Sequence, residues 1–260
     1  MADEGAVLDA LRDAILAGEF AAGQRLVEVD LCERFDCGRF AVRAAIPVLA
    51  SEGLVDVQRH RGARVRVIPL SEAIEITEVR RLLEGLTAAR AAERVTPDQA
   101  AEMQDIIREM RAAVEAGELL RYSDTNARLH ARIRSIAAHG TATSMIERLR
   151  AQLVRHQFTL SLIPGRPAVS LAQHERIVAA IAARDPAAAE AAMRDHITSV
   201  IDSLSSLAEE QARSAGATGD PGAPDHGAPD HSGADHGAGD HGATDHGATD
   251  HAAGKPSSRR

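Results

Sequence analysis

Between Ser71 and Arg213 the chain carries long stretches of helical hydrophobic periodicity with hardly a strand signal, and this most narrows what it can fold into. Breaks at Thr96-Pro97, Gly117, His139-Gly140, Pro164 to Pro167 and Asp185-Pro186 predict six helices. Thr96 and Asp185 each precede a proline, the arrangement of an N-cap with proline at the first helical position. The apolar stock agrees: 44% of residues are hydrophobic but only 2% aromatic, so the core must come from Ala, Leu, Val and Ile. That composition suits packed helices and disfavours a β-sandwich. An all-α antiparallel bundle is expected over residues 71–213.

The first 70 residues read differently. Val7 to Ala17 place apolar side chains on one helical face, and Gly18 follows as a stop. Glu28 to Phe35 and Arg39 to Ser51 form two further short helices around the tight turn Asp36-Cys37-Gly38. After Gly53, Leu54 to Val57 and Ala63 to Val67 alternate as strands, joined through Gln58-Arg59-His60-Arg61-Gly62. Helix, helix-turn-helix and basic-tipped hairpin in this order describe a winged helix-turn-helix over residues 1–70. The fold class is therefore mostly α, with a small β-hairpin wing.

Residues 214–260 hold almost no bulky apolar side chain, and 222–251 repeat a five-residue unit six times, each copy ending in Asp-His. Such a segment has no means of building a core and is expected to be disordered. Its imidazoles offer loose chelation of metal ions.

The chain has a formal charge of −8, which excludes a protein that coats nucleic acid or membrane over its whole surface. Any such contact is local. From Arg34 to Arg66 there are seven arginines against three carboxylates. Arg39 and Arg43 lie one turn apart at the start of the third helix and project the same way, as bidentate contacts to guanine or phosphate require. Arg61 at the hairpin tip is placed to enter a minor groove. With only Cys32 and Cys37, no basic leader and no long apolar run, a reducing, cytoplasmic setting without membrane contact is expected. The two thiols flank the turn, either as a redox-sensitive pair or with Cys32 filling a core slot.

Gly23-Gln24-Arg25-Leu26-Val27-Glu28, Leu31 to Phe35, Arg39 to Leu49, Glu52 to Val55 and Arg61-Gly62-Ala63 together resemble the GntR family of bacterial transcription regulators. The resemblance implies that Arg39 and Arg43 read the operator, that Arg34 meets the DNA backbone and that Arg61-Gly62 form the wing tip. Where the family usually has Ser-Arg-Thr-Pro-Val-Arg, this chain has Gly38-Arg39-Phe40-Ala41-Val42-Arg43. Gly38 is a weaker N-cap than serine, and Pro47 removes a donor well inside the helix, so a kinked recognition helix is expected.

In the bundle, Asn126 and His130 share one helical face, His174 opens an apolar run, and His196 lies inside the last helix. Imidazoles from separate helices with one oxygen donor make a site for a divalent transition metal, but spacing alone does not bring the three helices together. Arg80 with Glu84 one turn on reads as an exposed ion pair. Glu78-Val79-Arg80, Asn126 to Ile133 and His174 to Asp185 with His196 resemble the all-helical ligand domain of the FadR subfamily, the FCD type. That resemblance implies a metal, zinc or nickel, on Asn126, His130, His174 and His196. It also implies a small organic acid docked on the metal, with Arg80 meeting its carboxylate and His139 near the pocket. Many relatives have aspartate where this chain has Asn126.

These readings converge on a homodimeric, metabolite-responsive repressor of a palindromic operator, and not an enzyme. The alternatives are a metal-dependent enzyme and a metal-storage protein using the Asp-His repeat.

Overall fold

The computed structural model describes residues 3–217, so the Asp-His repeat and the disorder and chelation expected of it lie outside the described residues. Asp3 caps the first helix, α1 (Glu4–Leu16), its Oδ1 accepting from the Glu4 N–H at 2.9 Å. Val7, Leu11, Ala14 and Ile15 form its buried stripe. The helix begins earlier than periodicity predicts because its first turn is polar and cap-driven. A two-residue strand, β1 (Arg25–Leu26), follows, then α2 (Glu28–Arg34), α3 (Arg39–Ser51) and the hairpin β2 (Val55–Gln58) and β3 (Gly62–Val65). The sheet order is β1-β3-β2, antiparallel throughout, with Leu26 opposite Ala63 and Val55 opposite Val65. Leu11, Leu31, Val42, Leu49 and Val65 meet in one core under the hairpin.

α3 runs through Pro47 to Ser51, so the proline does not end the helix. Gly38 caps its start without a side-chain bond, as its missing side chain dictates. Its far end closes in a Schellman arrangement, with Gly53 at φ 76°, Gly53 N–H on the Ala50 carbonyl and Leu54 N–H on the Leu49 carbonyl.

Seven helices follow among the described residues, rather than six: α4 (Leu70–Arg94), α5 (Pro97–Glu115), α6 (Leu119–Ala137), α7 (Gly140–Gln152), α8 (Val154–Ser161), α9 (Arg166–Ala182) and α10 (Pro186–Ala217). The extra break is at Leu153, whose N–H bonds the Arg150 carbonyl and whose side chain is buried. No glycine or proline marks it, because burial of Leu153 turns the chain there. Thr96 and Gln99 form a reciprocal capping box ahead of Pro97, and Asp185 accepts from the Ala188 N–H ahead of Pro186. Ala88, Ala91 and Ala92 keep α4 slim against Met103, Leu129, Ile177 and Met193. At Gly85 a Cβ would come within 2.9 Å of Arg194, so glycine permits the close crossing of α4 and α10. No described helix is long and apolar enough to cross a membrane.

Candidate functional site

Two places concentrate polar chemistry. The first is the outer face of α3 and the hairpin. Arg39, Phe40 and Arg43 are exposed there while Ala41, Val42 and Ala45 turn inward, so the helix presents one face to the core and one to solvent. Arg43 donates its Nε to both carboxylate oxygens of Glu28 at 3.0 and 2.9 Å, a contact that uses neither of its Nη groups. Arg34 is exposed but braced by Glu19, with its guanidinium 4.8 Å from the Phe20 ring centroid. Arg61 stands at the exposed hairpin turn beside Gly62, whose φ of 81° suits glycine. Cys32 and Cys37 are free and partly buried, and burial, aided by Cys32, pushes the Cys37 thiol up. A raised thiol opposes ready oxidation.

The second place is inside the bundle. His130 of α6, His174 of α9 and His196 of α10 are all buried and offer ligand atoms within 4.8 Å of one another. His130 Nε2 and His174 Nε2 are 3.2 Å apart. Behind His130 stands Glu84 of α4, whose Oε2 is 3.0 Å from Nδ1; behind His196, Gln173 Oε1 lies 2.9 Å from Nδ1. These partners favour the proton on Nδ1 of both rings, so their Nε2 lone pairs face inward. Burial pushes all three imidazoles below the usual histidine range. For His174 and His196 the neighbouring histidines push the same way. Neutral rings with inward lone pairs are the form a metal requires.

Asn126, one turn before His130, has a buried Oδ1 without a hydrogen-bond partner, and His174 Nδ1 is likewise unpartnered. An orphaned oxygen and three clustered imidazoles fit a divalent transition metal, and coordination or hydrogen bonding would relieve the burial cost of the Asn126 Oδ1.

Arg80 and Glu84 are not the exposed pair that their spacing suggests. Arg80 is 4% and Glu84 1% exposed, and Arg80 donates Nε and Nη2 to Glu84 Oε1 at 2.9 and 2.6 Å. Burial pushes the Glu84 carboxyl up, but Arg80 and the bond from His130 outweigh this and hold it well below the usual range. The chain Arg80–Glu84–His130 is one buried charged network, and the i,i+4 pattern could not distinguish it from a solvated pair. His139 is at the N-cap of α7, its Nδ1 accepting from the Ala142 N–H at 3.3 Å, and does not line the cavity. A capping role, rather than pocket polarity, explains that side chain.

The histidines and Asn126 line a cavity of about 120 Å³ together with Arg80, Tyr122 and Ser170. Arg150 of α7 and Arg166 of α9 also line it, and sequence reasoning missed both, because an isolated arginine on a polar helix reads as surface. Gln173 was missed too, although it directly precedes His174.

Comparison with known proteins decides the family. Residues 4–65 match the bacterial regulatory proteins of the gntR family, and residues 75–199 match the FCD domain. The transcriptional regulator LutR of Bacillus subtilis (strain 168) is 31% identical over 75% of this chain and 98% of its own length. This chain belongs to the GntR family. The transcriptional repressor RspR of Escherichia coli (strain K12) is 28% identical over 78% of this chain and 89% of RspR. In fold, E. coli McbR/YncC superposes with a TM-score of 0.64 at 21% identity, covering 82% of this chain and all of that one. A GntR regulator from Rhodococcus sp. RHA1 gives 0.62 at 21% identity, covering 77% and 96%. The protein is a DNA-binding transcriptional regulator with an FCD effector domain, and this family is not one of enzymes.

Proposed function

We propose that this GntR regulator is a dimeric repressor that holds a divalent metal in its FCD domain and releases a palindromic operator when a small carboxylate binds beside the metal. The observation that carries the reading is the buried meeting of His130, His174 and His196 around a cavity where the Asn126 Oδ1 has no partner. The three imidazoles and Asn126 would hold the ion, with Glu84 and Gln173 fixing two of the rings. Zinc or nickel suits such nitrogen-rich donors. When bound, the ion supplies a Lewis-acidic seat for one carboxylate oxygen.

At the other end, Arg39 and Arg43 read bases, Arg34 meets the phosphate backbone and Arg61-Gly62 enter the neighbouring groove. One short recognition helix offers few base contacts, which favours two copies on a two-fold site. Relatives bearing the name repressor, RspR and a probable D-xylose utilization operon repressor of Paenarthrobacter nicotinovorans, support the direction of control.

The test is metal analysis of the full chain with its six repeat histidines replaced by alanine. One zinc or nickel per chain is expected, lost in the double variant His130→Ala, His174→Ala. A protein that stays metal-free through zinc and nickel titration overturns the metal site.

A further inference from the structure

The cavity walls carry three arginines, Arg80, Arg150 and Arg166, and no carboxylate among the residues lining it. Arg80 is already neutralised from behind by Glu84. Arg166 donates Nη1 to Ser199 Oγ at 3.0 Å, a neutral partner. Arg150 makes no hydrogen bond or ion pair among the described residues, and burial pushes its guanidinium down to about 10, leaving it charged at neutral pH. Carboxylates stand farther off, Glu84 and Glu147 from Arg150 and Asp202 from Arg166, but among the described residues none is in ion-pair contact with either arginine and none lies on the cavity wall. Partly buried charges of this kind are costly until a counter-charge arrives. A volume of about 120 Å³ restricts that counter-charge to a molecule of few heavy atoms.

Arg150 also sits on the helix that holds the recognition helix in place. Successive helical residues turn by about 100°, so Arg148 and Gln152 share one face of α7 and Arg150 points from the other. On that shared face Arg148 Nη2 donates to the Ser51 carbonyl at 2.7 Å and Gln152 Nε2 to the Glu52 carbonyl at 3.2 Å. These are terminal carbonyls of α3 that its own Schellman turn leaves unpaired. Arg148 adds a positive charge at the negative end of the helix dipole. Gln152 packs so closely on Gly53 that a Cβ there would lie 2.7 Å from its Cδ, and its Oε1 accepts from Arg66 Nη1 at 3.2 Å. The junction is a fitted contact.

We infer that the cavity is built for a small dianion: one acidic group at the histidine end, the second gripped by Arg150 with Arg166, and α7 carrying that grip to the end of the recognition helix. This rests on the carboxylate-responsive reading above and adds to it the charge of the ligand, its anchor and the element that transmits its arrival. A ligand changes DNA affinity only if it favours one setting of α7 over another. Occupying Arg150 supplies that difference, because the same helix caps α3.

The experiment compares matched acids on the full, metal-loaded protein: malonate, succinate and glutarate against propionate, butyrate and valerate, by calorimetry. DNA binding is then read on a duplex selected by the protein from a random pool. At least one diacid should bind ten or more times tighter than its monoacid partner, and should weaken DNA binding about 5- to 150-fold. Arg150→Gln should bring the diacid-to-monoacid ratio near one, and Arg150→Lys should restore part of it. The double variant Arg148→Ala, Gln152→Ala should bind the diacid as before but lose most of its effect on DNA. Equal binding of diacids and monoacids, or a ratio unchanged in Arg150→Gln, overturns the dianion and its anchor while sparing the carboxylate reading. Full coupling in the Arg148, Gln152 variant overturns the role of α7. If no acid of either series binds, both this inference and the carboxylate reading fall together.

Discussion

The winged helix and the bundle both place arginine beside glutamate, and the two pairs do opposite work. Arg43 and Glu28 stand in solvent, with side chains 65% and 39% exposed. The side chains of Arg80 and Glu84 are only 5% and 2% exposed. In water, an ion pair gains little and is screened by salt, so Arg43 remains free to exchange Glu28 for a phosphate or a guanine edge. In the interior the same pair is a fixed part of a network that ends on His130, and neither partner can leave without stranding the other. The exposed domain keeps its charge for a polyanion outside. In the reading proposed above, the buried domain arranges its charge around a cavity for a small anion.

The largest expected effect lies on the exposed side. Replacing Arg39 and Arg43 together by alanine should reduce binding on a selected duplex to its non-specific level, a loss of about a thousandfold or more. Folding should be unaffected, because both side chains are in solvent. Gel-shift titration against specific and scrambled duplexes checks this. Undiminished discrimination would move base reading away from α3 and erase the functional side of the comparison.

The two domains also differ in how far the sequence announces them. The face of α3 is legible because the 3.6-residue period separates Arg39 and Arg43 from Ala41, Val42 and Ala45, and exposed charge is what a polar helical face normally means. Strand β1 is not, since two residues carry no alternation and pairing with β3 alone defines them. In the bundle, Asn126 and His130 share a face by spacing. Their meeting with His174 and His196 depends on how α6, α9 and α10 pack, and it entered the sequence reading only through family resemblance. Burial of Arg80 and Glu84 is illegible for a physical reason: an i,i+4 charge pair has the same spacing in water and in a core. The break at Leu153 and the inward turn of Arg150 follow from tertiary packing and leave no local mark.

A middle-sized effect separates the two ion pairs directly. Glu84→Gln keeps the shape but removes the charge that balances Arg80 and orients His130, and should cost about 3 kcal/mol of stability in the metal-free protein. Loss of this partner should also weaken metal binding about 10- to 100-fold. Glu28→Gln, at the exposed pair, should cost no more than about 1 kcal/mol. Urea denaturation of both variants checks the contrast. Equal costs would mean that the buried network is not balanced as the distances imply.

The smallest effect on folding is expected at Phe40, and it sharpens what exposure means in the DNA-reading domain. The residue is 74% exposed, and it lies between Arg39 and Arg43 in sequence on the solvent face of α3. A phenylalanine in water contributes little to the core, so Phe40→Ala should change stability by no more than about 0.5 kcal/mol. An apolar ring on a helix that enters the major groove has one distinctive partner there, the 5-methyl group of thymine. On a duplex selected by the protein, replacing one thymine per half-site with uracil removes only that methyl. The wild-type protein should lose affinity at one such position, and Phe40→Ala should bind the thymine and uracil duplexes alike. A uracil penalty that persists at every position in the variant would assign the ring to something other than base reading, and would leave the two arginines as the readers on α3.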